Sequence, residues 1–276
     1  MPQVLQNFDK CCVHSITLKR WSIEEQIDRL VEVGVKGITL WRQSVEGKNY
    51  SEIQNRIRQA GLTTVSYCRG GFFPGITSSD RAKSIDENMK TIDEAAALGA
   101  PMVVLVCGSL PNQNLIESRK QIIEGIEHLL PYAEKCGVKL AIEPLHPMYA
   151  GDRSAINTLA QSNEICAQLQ HPFLGVALDV FHVWWEPNLE AHIQECARLK
   201  ALFAFHVCDW KINMADMLND RGLMGEGCIP IRQIRGWVED AGFQGFNEVE
   251  IFSNRYWAEE PEKFLELILK SYQQNT

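Results

Sequence analysis

The chain reads as a single (β/α)8 barrel of the TIM type, one domain spanning residues 1–276. Three observations lead there. Apolar, strand-like runs alternate with helix-period stretches along the whole sequence, giving eight strand–helix units at intervals of about 25–40 residues. One unit is especially clear: Val176–His182 and Leu202–Trp210 are short apolar runs suited to strands buried on both faces, with the amphipathic stretch Asn188–Leu199 between them. The rival, an open doubly wound sheet, usually carries a glycine-rich phosphate turn after its first strand, and Ser15-Ile16-Thr17-Leu18 has no such glycines.

Each element has its own signal. Asp9–Thr17 holds the first strand, and Ser22-Ile23-Glu24-Glu25 is a capping box opening a helix that Gly34 ends. Lys36–Trp41 is the second strand, Ser51–Ala60 the next helix with Gly61 as its stop, and Leu62–Tyr67 the third strand. Arg69–Gly75 is then a glycine-rich loop in which Phe72 and Phe73 suit a mobile lid. A helix over Asp80–Leu98 precedes the apolar fourth strand Met102–Cys107, and a helix from Leu115 to Cys136 ends at Gly137. The fifth strand, Val138–Glu143, stops at Pro144, which cannot extend it, and a loop leads to the helix Ile156–Leu169. The two strands described above are sixth and seventh. A polar loop, Asn213–Gly227, and a helix over Ile231–Ala241 follow; Phe246–Phe252 is the eighth strand and Pro261–Tyr272 the last helix.

Composition narrows the function. A hydrophobic share of 45% and a charged share of 22% are ordinary for a globular protein. The net charge of −8 disfavours nucleic acid as a partner and suits a pocket of carboxylates around a cation. Nine cysteines, an odd number without any C-x-x-C pair, argue against a disulfide framework and a zinc knuckle. Cys11, Cys12, Cys68, Cys107 and Cys208 fall in apolar runs and should be buried thiols. The first residues lack the pattern of a signal peptide, and no apolar run approaches the ~18 residues of a membrane span. A cytoplasmic protein with no membrane partner is expected.

In a barrel, the last inward side chain of each strand points at a shared mouth. Strands five to eight bring Glu143, Asp179, His206 and Glu250 there, with small Ala177 and Ala204 beneath two of them. Three carboxylates and one imidazole suit one divalent ion, Mn²⁺ or Zn²⁺ in the first place, with Co²⁺ or Mg²⁺ as further choices. Glu248 shares a face with Glu250 one layer deeper; it is read as structural, with Lys139 as its partner across the barrel. Asp209, just past His206, is placed to orient an imidazole or an arginine and is also a substrate-binding candidate. Trp41, Trp184, Trp185 and Trp210 follow strand ends and could form the apolar lining of a pocket, and His146 and Arg153 on the loop after Glu143 are candidates for substrate selectivity.

Ile142-Glu143-Pro144, Asp179-Val180-Phe181-His182, His206-Val207-Cys208-Asp209 and Val249-Glu250-Ile251-Phe252 together resemble the xylose isomerase-like TIM-barrel superfamily. That resemblance implies that Glu143, Asp179, His206 and Glu250 are metal ligands. It further implies that Glu143 and Glu250 are catalytic, moving protons through a metal-stabilised enediolate. His182, in the D-x-x-H arrangement, and Arg221, ahead of a G-x-G turn, would by the same resemblance bind substrate oxygens. The pattern is close to ketose 3-epimerases and inosose isomerases. The implied activity is isomerisation or epimerisation of a small sugar, keto-sugar or cyclitol, in a homodimer or homotetramer. A dehydratase acting on an inosose- or dehydroshikimate-like substrate needs the same site. An endonuclease IV-like enzyme would need extra histidines after strands three and four, where Tyr67-Cys68-Arg69 and Val106-Cys107-Gly108 stand. A non-catalytic sugar-binding protein has no use for a complete ligand set. Dispersed basic residues and the lack of a phosphate loop favour an unphosphorylated substrate.

Overall fold

In the computed structural model, which describes residues 2–276, eight parallel strands close into a barrel in the order β1 to β8. The strands are β1 (Cys11–His14), β2 (Gly37–Trp41), β3 (Thr63–Gly71), β4 (Met102–Val106), β5 (Lys139–Ile142), β6 (Leu174–Asp179), β7 (Leu202–Val207) and β8 (Asn247–Val249). Closure is made by β1 against β8, with Cys12 opposite Glu248 and Val13 opposite Val249. The principal outer helices are α1 (Ile23–Glu32), α3 (Tyr50–Gln59), α4 (Ser78–Ala97), α5 (Leu115–Cys136), α6 (Leu159–Leu169), α8 (Leu189–Arg198), α9 (Ile231–Asp240) and α11 (Pro261–Asn275). Three short helices, α2 (Arg42–Val45), α7 (Val180–Val183) and α10 (Asn254–Ala258), lie just beyond β2, β6 and β8 and have no periodic signal of their own.

The main core lies between strands and helices, where residues such as Ile38, Leu140, Val176 and Phe205 meet Ile27, Ile126 and Ile193. Full burial of each such side chain contributes about 1.5–3 kcal/mol. A smaller cluster fills the barrel itself and includes Val104, Ala141, Ala177 and Ala204. These alanines sit two residues below Glu143, Asp179 and His206, so the layer beneath the mouth is low and leaves room above it.

Helix ends follow local chemistry. Ser22 and Glu25 form the expected capping box, and Thr77 with Asp80 forms a second one that starts α4 earlier than its apolar pattern does. Gly137 ends α5 in the left-handed region at φ 71°. The helix expected from Ile156 begins only at Leu159, because Thr158 caps it and the Glu186 carboxylate accepts the N–H groups of Leu159 and Ala160.

Two boundaries near the mouth also differ from expectation. β6 stops at Asp179 because its Oδ1 accepts the Phe181 N–H at 2.9 Å and starts a helical turn, so His182 leaves the strand. The glycine-rich segment begins as strand: Asn88 accepts the Gly71 N–H and donates to its carbonyl, holding β3 paired with β4 to that residue past a register shift between Cys68 and Gly70. Phe73 is no lid residue. Its N–H donates to the Cys107 carbonyl, its ring is buried, and Gly125 leaves the space it occupies. The five cysteines expected inside are all buried. No helix among the described residues is long and apolar enough to cross a membrane.

Candidate active site

Four consecutive strands bring polar side chains to the carboxyl end of the barrel. Asp179 ends β6 and stands directly opposite His206 of β7 in the sheet register. Glu143 and Glu250 follow β5 and β8 by one residue; the Glu250 N–H is held by the Val207 carbonyl. One donor atom from each of Glu143, Asp179, His206 and Glu250 lies within 4.8 Å of all the others, and all four residues are buried.

The donor set fits a divalent cation. His206 Nδ1 is 3.1 Å from Glu143 Oε1, so this nitrogen faces the cluster. Its Nε2 has no hydrogen-bond partner and points toward Glu248 Oε2 at 3.8 Å. Burial pushes the Asp179 carboxyl up to about 7 even with the Arg221 guanidinium beside it. A buried carboxyl inclined to keep a proton is a place where a cation relieves excess negative charge. Glu143, Asp179, His206 and Glu250 could therefore hold one.

Arg221 is built into the same cluster. Its Nη1 donates to Asp179 Oδ2 at 2.9 Å and Glu250 Oε2 at 2.8 Å, and its plane lies between the rings of Phe181 and Phe252. Burial opposes ionisation of Glu250, yet Arg221 and His14 outweigh it and hold this carboxyl well below the usual range. The loop carrying Arg221 is fixed by Asp209, which accepts the N–H groups of Trp210, Gly225, Gly227 and Ile229. Gly227 has to be glycine here, since a Cβ would lie 2.0 Å from the Trp210 carbonyl oxygen. Asp209 is thus engaged with backbone and orients Arg221 through the loop; it does not face a substrate, contrary to the expectation from its position.

His182, one helical turn past Asp179, lies 3.2 Å from Arg221 Nη2 through its Nε2. Burial, and then Arg221, hold its imidazole well below its ordinary pKa, so it is neutral. Its Nδ1 faces the backbone N–H of His146 and its Nε2 the Arg221 guanidinium, both donors, so the neutral ring accepts from one of the two. The His146 side chain packs between Trp185 and Trp210 rather than facing the cavity, so its link to the site is through its backbone. Trp184 and Trp210 belong to this same aromatic layer outside the cavity.

Glu248 is buried one layer below, as expected, but Lys139 is not its partner. Lys139 is exposed, with its ammonium 4.4 Å over the Phe203 ring. Glu248 Oε2 instead receives Thr39 Oγ1 at 2.6 Å, Ser66 Oγ at 3.4 Å and His14 Nε2 at 3.2 Å. Burial disfavours the His14 cation, but Glu250 and Glu248 prevail and carry its pKa to about 9. His14, Glu248 and His206 form a second potential ligand group below the first. His14 was legible in principle, being the strand-end histidine of β1.

Above the cluster opens a cavity of about 300 Å³ lined by Trp41, Arg69, Tyr149, Arg153, His182 and Phe252, besides Glu143, Arg221 and Glu250. Trp41, His182, Arg221 and Arg153 are therefore where the sequence suggests, and His146 and Asp209 are not. Arg69, Tyr149 and Phe252 are additional. Tyr149 ends a short 3-10 turn, Pro147–Tyr149, with no strand to aim it, and its hydroxyl donates to the Met217 carbonyl at 2.5 Å.

Residues 27–269 match the family model described as the xylose isomerase-like TIM barrel. An inosose isomerase of Halalkalibacterium halodurans is 25% identical over 67% of this chain and 65% of its own length, so the chain spans slightly under two thirds of that relative. A fructoselysine 3-epimerase of Shigella flexneri is 25% identical over 84% of this chain and 86% of its own. The crystal structure of a Sinorhizobium meliloti protein is 41% identical, with a TM-score of 0.94 over 98% of this chain and 99% of that one. The IolI protein with a bound zinc atom shares the fold at 20% identity, with a TM-score of 0.82 over 95% of this chain and 96% of its own. The chain belongs to the xylose isomerase-like TIM-barrel family.

Proposed function

We propose that this chain is a divalent-metal-dependent isomerase or epimerase of a small sugar, keto-sugar or cyclitol. The carrying observation is the buried cluster of Glu143, Asp179, His206 and Glu250 at the floor of a sugar-sized cavity. Inosose isomerase and fructoselysine 3-epimerase among the relatives support the reaction class. A divalent ion held by those four residues, Mn²⁺ or Zn²⁺ before Co²⁺ or Mg²⁺, would polarise a substrate carbonyl and acidify the adjacent C–H.

The remaining chemistry belongs to the side chains. Glu143 and Glu250 come from strands three apart around the barrel and reach a molecule in the cavity from different directions. One takes a proton from carbon and the other returns a proton to the neighbouring carbon or the opposite face. Arg221, fixed between Asp179 and Glu250, places a permanent positive charge where the enediolate oxygen develops. Neutral His182 borders the cavity against Arg221 and helps to place a substrate hydroxyl there, and Trp41 with Phe252, rings 5.1 Å apart, walls off water.

The test is solvent exchange at carbon. A panel of ketoses and inososes is incubated with the Mn²⁺-supplemented protein in D₂O and followed by proton NMR. Loss of a C–H signal next to a carbonyl, reduced about 100-fold or more in Glu143→Gln and in Glu250→Gln, is the expected result. Exchange that is indifferent to both substitutions would overturn the reading. Appearance of an ultraviolet-absorbing conjugated carbonyl would assign the site to dehydration instead.

A further inference from the structure

The cavity holds more positive charge than the proposed chemistry uses. Arg221 is neutralised by Asp179 and Glu250. With a divalent ion in place, the three carboxylates of the cluster are balanced by the ion and Arg221 together. Arg69 and Arg153 line the same cavity and stand outside that balance. Among the described residues, no carboxylate lies within ion-pairing distance of Arg69. The acid nearest Arg153 is Asp152, its own chain neighbour, at 4.0 Å on the exposed rim, where screening leaves little attraction. Among the described residues, neither guanidinium donates a hydrogen bond to protein.

Both arginines are nevertheless positioned. Arg69 lies in β3 beside Gly71, whose backbone the Asn88 side chain clamps from both sides, and its guanidinium is 4.9 Å from the Phe72 ring centre. Arg153 is 5.7 Å from the centre of the Tyr149 ring. An arginine laid against an aromatic face keeps the N–H groups on its edge free for a planar or tetrahedral oxyanion. Burial, and then the like charge of Arg153, lower the pKa of Arg69, against the smaller opposing pull of Glu143 and Glu250 at the cavity floor.

We propose that Arg69 and Arg153 form an oxyanion subsite at the rim of the cavity, and that the substrate carries a carboxylate or a phosphate which they receive. This rests on the cavity being the substrate site. It narrows the substrate from a sugar or cyclitol in general to an acidic one, either a keto-sugar acid or, in contrast to the unphosphorylated substrate the sequence favours, a sugar phosphate.

The test is calorimetric titration of the purified, divalent-loaded protein with inorganic phosphate and, separately, with acetate. Saturable binding of at least one anion is expected, weakened at least tenfold in Arg69→Gln and in Arg153→Gln and largely restored in Arg69→Lys and Arg153→Lys. Phosphate alone would identify a phosphate ester and acetate alone a sugar acid; both together would support the shared subsite. Binding of neither anion, or binding that survives in the Arg69→Gln/Arg153→Gln double variant, would overturn the proposal. Carbon–hydrogen exchange without anion binding would sink only the subsite, whereas anion binding without exchange would sink only the isomerase reading.

Discussion

At Glu248 the barrel buries a carboxylate and meets its cost with hydroxyl and imidazole donors rather than with a lysine. Its oxygen also faces the otherwise unpartnered Nε2 of His206, whose Nδ1 faces the proposed ion site. A carboxylate behind a metal-bound imidazole fixes the ring and raises its basicity. Glu248→Gln should therefore weaken divalent-ion affinity about 10- to 100-fold, measured by competition with a chromogenic chelator. Unchanged affinity would reduce Glu248 to packing. The four candidate ligands were legible because a strand end fixes which way a side chain points. Lys139 misled because it lies at the start of β5, where the barrel opens to solvent. Asp209 is one residue too far along to face inward, and backbone N–H groups claim it.

At the scale of elements, caps decide the boundaries that the apolar pattern leaves vague. Thr77 and Asp80 start α4, the helix whose Asn88 holds the end of β3 and with it Arg69. Thr77→Ala should cost about 1 kcal/mol at neutral pH in urea unfolding. Hydrogen bonds from the Thr77 side chain and backbone hold the Asp80 carboxyl below its ordinary value. A depressed folded-state pKa contributes stability that is complete above the unfolded value and fades as pH falls through the folded one. The gap between wild type and Thr77→Ala should therefore narrow in acid; a gap that widens there would contradict the cap. Strand and helix existence was readable throughout, from two-sided apolar runs and helical periods. The short helices α2, α7 and α10 were not, because turns of four or five residues carry no period. The one that matters most, α7, is set by the Asp179 side chain accepting a backbone N–H, and that turn brings His182 toward Arg221.

At the scale of the whole molecule, closure of β1 onto β8 is what makes a site from residues more than a hundred positions apart. Glu143 and Glu250 meet only because the sheet is a barrel, and the alanines beneath Glu143, Asp179 and His206 keep the layer below the mouth low. The same closure brings His14 of the first strand under Glu250 of the last, 3.1 Å apart, a pairing that no local pattern announces. The net charge of −8 is not spread evenly, since the cavity carries acids at its floor and arginines at its rim. The central claim is that Glu143, Asp179, His206 and Glu250 hold one divalent ion. Elemental analysis of the purified protein beside the Glu143→Gln/Glu250→Gln double variant tests it most directly. The account predicts about one divalent ion per chain in the wild type and almost none in a folded variant. No ion in the wild type after soaking in Mn²⁺ or Zn²⁺, or equal occupancy in both proteins, would contradict it.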